Sequence, residues 1–90
     1  EFVALLPMTN CEGATRVATM LLETIRSLRI PHAGSSKGIL TISIGVACWQ
    51  AGSTADAERL LEKADSALYR AKESGRDTYR LIQCGPEAAA

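Results

Sequence analysis

The chain has no surplus of positive charge. Ten Lys and Arg stand against ten Asp and Glu over 90 residues, which argues against a general nucleic-acid or anionic-membrane binder, since such binders rely on a net cationic field. It also lacks any apolar run near the roughly 20 residues that a membrane span needs. The longest candidate, residues 39–49, is interrupted by Thr41, Ser43 and Gly45. No basic stretch leads into an apolar core at the start, so no signal peptide is expected. Histidine occurs once, at His32, and the three cysteines (Cys11, Cys48 and Cys84) lie far outside CxxC spacing. Neither a zinc site nor a dithiol redox motif is therefore expected. An odd cysteine count without framework spacing suits a reducing cytoplasm, where thiols stay free, and the cytoplasm is the expected location.

What is present is an ordinary globular composition, 47% hydrophobic and 22% charged, enough for at most one small domain. The chain opens at Glu1-Phe2-Val3 without a methionine and runs at once into apolar residues, the look of a piece cut from a longer polypeptide. Phe2 to Leu6 form a continuous apolar run closed by Pro7, which predicts a buried strand. Thr9-Asn10-Cys11-Glu12 reads as a capping box with Thr9 as N-cap. A helix is predicted over 10–28, with Ala14, Val17, Ala18, Leu21, Ile25 and Leu28 on its apolar stripe and Arg16, Glu23 and Arg26 opposite.

Residues 29–38, with Pro31, Gly34 and Gly38, have the composition of turns or a loose hairpin. Leu40, Ile42, Ile44, Val46 and Cys48 then alternate with small residues, which predicts a strand whose second face lies close to another element or a ligand. A second helix is predicted over 55–74, its face made of Ala57, Leu60, Leu61, Ala64, Ala67, Leu68 and Ala71, with Gly75 placed as a left-handed cap. Residues 78–83 read as a closing strand, and 84–90 as a disordered tail. The order implies an alternating α/β layout with one layer of helix on a sheet.

Six bases and six acids lie between residues 56 and 80, mostly a solvated helix face with weak pairs. Asp65, Tyr69, Lys72 and Arg76 share one stripe beside the apolar face. Lys72 and Arg76 stand at the helix exit, next to a glycine. Two such cations can bracket a polyphosphate, Arg as a fork and Lys as a point charge; they can equally serve the helix dipole. Glu1 is either a ligand for a divalent ion or a cut end. His32 reads as an exposed loop residue, Trp49 as core packing and Cys48 as an inert inward thiol.

Three segments carry a family resemblance. Glu1-Phe2 with the following apolar run is similar to the end of the GGDEF signature and the strand that leaves it. Thr41 to Ala47 resembles the family's "T-x-SIGVA" strand, and Ala64 to Asp77 its "ADxALYxAKxxGRN" helix. The chain thus resembles the C-terminal half, residues 1–83, of the GGDEF domain of diguanylate cyclases. The resemblance implies an α+β sandwich, mainly antiparallel, with helices packed on a sheet like that of nucleotide cyclases and polymerase palms. It implies a cytoplasmic homodimer that joins two GTP into cyclic di-GMP with release of two pyrophosphates, using Mg2+ or Mn2+. Neither nucleic acid nor direct membrane contact is implied for this segment.

By the same resemblance, Lys72 and Arg76 contact the terminal phosphates, and Glu1 is the acid beside the metal site, with a catalytic or metal-ligand role. The signature's two glycines and its third, metal-binding acid do not occur in these 90 residues, nor do the upstream aspartate, the guanine-reading residues or the RxxD motif. The piece alone is accordingly expected to be inactive. Met20 occupies, by count, the place of the second inhibitory arginine, and Asp77 replaces the commoner asparagine of "GRN". The alternative is a degenerate, non-catalytic GGDEF domain that binds GTP or an effector, or serves as a dimerisation module.

Overall fold

The computed structural model describes residues 2–4, 6, 9–49 and 57–84. Four elements follow in order: α1 (Cys11–Leu28), β1 (Ile44–Trp49), α2 (Ala57–Glu73) and β2 (Tyr79–Cys84). α1 turns Ala14, Ala18 and Leu22 inward; of the predicted stripe Leu21 and Leu28 stay exposed, and Leu22, outside that stripe, is buried in their place. Its N-cap is Asn10 and not Thr9. The Asn10 backbone is extended, and its side-chain oxygen accepts a 2.8 Å bond from the Gly13 N–H, a role in which asparagine outranks threonine. Glu12 accordingly does not close a capping box but accepts from Arg16 one turn on, at 3.2 Å.

The turn-rich stretch after α1 forms the loose hairpin its composition predicts. The Leu40 N–H donates to the Ile30 carbonyl at 2.7 Å and the His32 N–H to that of Gly38 at 3.0 Å, with an antiparallel bridge between Pro31 and Ile39. Gly38 takes φ 76°, a backbone most residues avoid. The alternating segment becomes a strand only from Ile44; residues 40–43 lie outside it.

β1 and β2 pair in parallel, from Ile44 opposite Tyr79 to Trp49 opposite Cys84. This corrects the expectation of a mainly antiparallel sheet. The 17-residue helix α2 carries the chain back to the starting end of β1, and a crossover of that kind yields a parallel pair where a short hairpin would yield an antiparallel one. The fold is α+β, as expected, but the helices do not form one layer. Gly45 faces α2: a Cβ there would collide with the Ala64 carbonyl oxygen and the Leu68 backbone. Cys48 is joined to Cys11 at the start of α1. Residues 45 and 48 of a strand point to opposite faces, so α1 and α2 flank the pair from opposite sides. The small residues predicted to mark a close approach are therefore where helix backbone meets strand.

Two further expectations are corrected. Phe2, Val3, Ala4 and Leu6 form no strand; Phe2 is 99% exposed and Val3 75%. A strand exists only when its backbone groups have a partner edge, and none of the described residues supplies one. Trp49 closes β1 but is exposed rather than packed. Buried apolar side chains among the described residues are Ala14, Ala18, Leu22, Cys48, Ala67 and Ala71, a core of mostly small residues that lets helices sit close to strands.

Candidate phosphate-binding turn

The exit of α2 is built by three successive residues of positive φ: Gly75 at 108°, Arg76 at 63° and Asp77 at 51°. Gly75 reverses the chain at no steric cost. Its N–H donates to the Lys72 carbonyl at 3.3 Å, and the Arg76 N–H donates to the Ala71 carbonyl at 3.1 Å. Those two bonds constitute a Schellman motif. It fixes the backbone of both cations, because the carbonyl of one and the N–H of the other are its partners.

Both side chains are exposed, and neither has a hydrogen-bond or ion-pair partner among the described residues. Other bases are already engaged: Arg16 with Glu12, Arg26 and Lys37 with Asp77, and Arg80 with Thr78 and the Tyr79 carbonyl. An exposed, unengaged Lys and Arg on one locked turn can present a point charge and a planar fork to a phosphate chain.

Asp77, one of the six acids expected on a solvated helix face, is only 8% exposed. Its carboxylate accepts 2.8 Å from Arg26 Nε and is also held by Lys37 Nζ, while Arg26 Nη2 donates to the Asp77 carbonyl oxygen at 2.8 Å. Burial pushes the Asp77 carboxyl pKa up, but the hydrogen bonds from Lys37 and Arg26 and their charges outweigh it and hold the group below its ordinary 3.8. Arg26, expected on the solvent face of α1, turns to this site instead. A helical stripe alone does not reveal such a cluster, because its members are 51 and 40 residues apart. The available signal was an acid directly after Gly75-Arg76, where the family has asparagine.

The cysteine expectation is also corrected. Cys11 and Cys48, expected to be free thiols, form a disulfide, with Cα atoms 5.4 Å apart and a sequence separation of 37. α1 begins beside the end of β1, which brings together two residues whose spacing matches no motif. His32 lies in the exposed hairpin, as expected, where Nδ1 accepts from the Gly34 N–H at 3.0 Å. Glu1, the proposed metal-side acid, lies outside the described residues, and so does most of the tail at 84–90. Among the described residues no three of His, Cys, Asp and Glu converge on a metal-holding position. No described helix is long and apolar enough to cross a membrane.

The described residues thus form a parallel strand–helix–strand unit whose helix exits through a glycine-capped turn bearing Lys72 and Arg76. Comparison with known proteins makes the assignment specific. Residues 1–78 match the family described as "Diguanylate cyclase, GGDEF domain", and the chain belongs to that family. It is 38% identical over 81 residues to diguanylate cyclase DgcS of Shewanella oneidensis, covering 90% of this chain and 25% of that protein. It is 40% identical over 77 residues to diguanylate cyclase DgcM of Escherichia coli, covering 86% and 17%. The response regulator PleD of Caulobacter vibrioides is 35% identical over 79 residues, again covering 86% and 17%. The chain spans a quarter or less of the length of these relatives. No solved structure matches it.

Proposed function

We propose that this chain is the substrate-phosphate-holding part of a diguanylate cyclase, which condenses two GTP into cyclic di-GMP. In that reaction the 3′-hydroxyl oxygen of each GTP attacks the α-phosphorus of the other. The bond from that phosphorus to the bridging oxygen breaks, and pyrophosphate leaves, twice per product. Lys72 and Arg76 bind the terminal phosphates, orient the triphosphate and neutralise charge that builds on the leaving pyrophosphate. The observation that carries the reading is the Schellman turn, which locks the backbone of both cations while leaving their side chains exposed.

GTP and a second copy of the domain facing the first belong to the same proposal; so does a cytoplasmic setting, now on the family resemblance alone, since the Cys11–Cys48 bond removes the free-thiol argument for it. Glu1 remains proposed as the acid beside the divalent ion. Gly-Gly-Asp does not occur in the 90 residues, and these residues by themselves are expected to make no cyclic di-GMP. The test is product formation by the intact protein supplied with GTP and Mg2+, read as cyclic di-GMP by mass spectrometry and as released pyrophosphate. K72A and R76A should each lower kcat/KM by about 100-fold, or about 2.7 kcal/mol of transition-state stabilisation, without a change in thermal stability. Turnover unaltered in both variants contradicts the assignment. GTP binding without any product identifies the non-catalytic alternative.

A further inference from the structure

We infer that Asp77 is a positioning residue for the phosphate grip: held by Arg26 of α1 and Lys37 of the hairpin, it sets the backbone from which Arg76 projects. This rests on the phosphate role proposed for Arg76.

Four backbone groups between the helix exit and the sheet are tethered. The Gly75 and Arg76 N–H groups bond to the Lys72 and Ala71 carbonyls, the Asp77 carbonyl accepts from Arg26 Nη2, and the Thr78 carbonyl accepts from the Ile44 N–H at 3.0 Å. The Schellman bonds alone suffice to end α2. What they leave open is the direction of the chain past Gly75, where Arg76 and Asp77 take successive left-handed backbones, uncommon for residues with a Cβ, Arg more so than Asp, and in need of holding by their surroundings.

Arg26 supplies that enforcement by gripping Asp77 twice, Nε on the carboxylate and Nη2 on the main-chain carbonyl. Lys37 takes the other carboxylate oxygen. A carboxylate this deeply buried is unfavourable unless fully paired, so the cluster either forms as a whole or the turn changes. None of its bonds uses the Arg76 side chain, which stays available to an anion. Position 77 therefore acts on phosphate through its neighbour, from residues that lie far from the turn in sequence.

The test measures binding of GTP and of GMP to the intact protein by calorimetry, because GMP lacks the terminal phosphates. D77G keeps the left-handed backbone accessible but removes the carboxylate. It should weaken GTP binding by about tenfold and leave GMP binding unaltered. R26M should do the same, and K37M, which removes one exposed donor, should cost about threefold. D77N should stay within about threefold of wild type, since asparagine tolerates this backbone and can accept from Arg26. Equal losses for GTP and GMP across D77G, R26M and K37M mark a purely structural role and overturn the inference. So does an unaltered GTP-to-GMP ratio in these variants while K72A and R76A lower it. If K72A and R76A leave that ratio unaltered too, the phosphate reading itself fails and the inference falls with it.

Discussion

The two helices are attached to the same strand pair in opposite ways. α2 lies so close that strand and helix backbones touch at Gly45, and Ala67 and Ala71 are wholly covered. α1 buries only Ala14, Ala18 and Leu22, leaving Met20, Leu21 and Leu28 exposed, and is secured at its ends by two point attachments. At its start Cys11 is bonded to Cys48; near its end Arg26 grips Asp77. Continuous packing needs small residues along a whole face, whereas point attachment needs one partner in the right place. The first can be read from a stretch of sequence and the second cannot.

The comparison can be broken most severely at Gly45. Gly45→Val puts side-chain atoms into the α2 backbone, which cannot yield as a flexible side chain could. A loss of about 4 kcal/mol is expected in denaturant unfolding of the intact protein, at the upper end for overpacking; a loss within 1 kcal/mol would show that α2 is not pressed on β1. Next comes the covalent attachment of α1. Reduction of the Cys11–Cys48 bond, or C11S with C48S, should cost about 3 kcal/mol, the middle of the range typical of disulfides. An unaltered melting temperature on addition of a reductant would mean that the bond is not formed in the protein under those conditions.

The ionic attachment ranks third. D77A should cost about 2 kcal/mol, less than a fully buried pair because Arg26 and Lys37 are 43% and 59% exposed. The pH dependence has a definite sign. A carboxyl whose pKa lies lower in the folded state than its ordinary 3.8 stabilises the fold fully well above that value. The contribution fades as pH falls below about 4, through the folded-state pKa. Wild type should therefore lose stability on acidification over that range more steeply than D77N, and parallel curves would contradict the ion-pair account. Smallest is R16A, which removes an exposed pair with Glu12 and should change stability by at most about 0.5 kcal/mol.

What was legible in the sequence follows the same division. The helix of α1, the alternation that becomes β1, the alanine face of α2 and the cap at Gly75 are local signals, and all four elements form, although α1 buries Leu22 where the stripe placed Leu21 and Leu28, and the strand begins only at Ile44. The close approach at Gly45 was foreshadowed by the small residues of its strand. The direction of pairing was not legible, since it depends on where α2 delivers the chain. The disulfide and the Arg26–Asp77–Lys37 cluster join residues about 40 to 50 positions apart, and nothing in the local pattern marks either partner. Trp49 and the opening run were read as buried because they are apolar; burial also requires a surface to pack against, and the described residues offer none. At the candidate site, Lys72 and Arg76 stand out through their place beside Gly75 and through family resemblance, whereas Asp77, one position further, reads in the sequence as one more solvated acid.

The central claim is that Lys72 and Arg76 hold the terminal phosphates of GTP. Its most direct test is the affinity of the intact protein for GTP and for GMP, measured side by side in wild type and in the K72A/R76A double variant. The account predicts that wild type prefers GTP, and that the double variant loses most of that preference while its affinity for GMP and its thermal stability hold. A double variant that still prefers GTP to the same degree would contradict it.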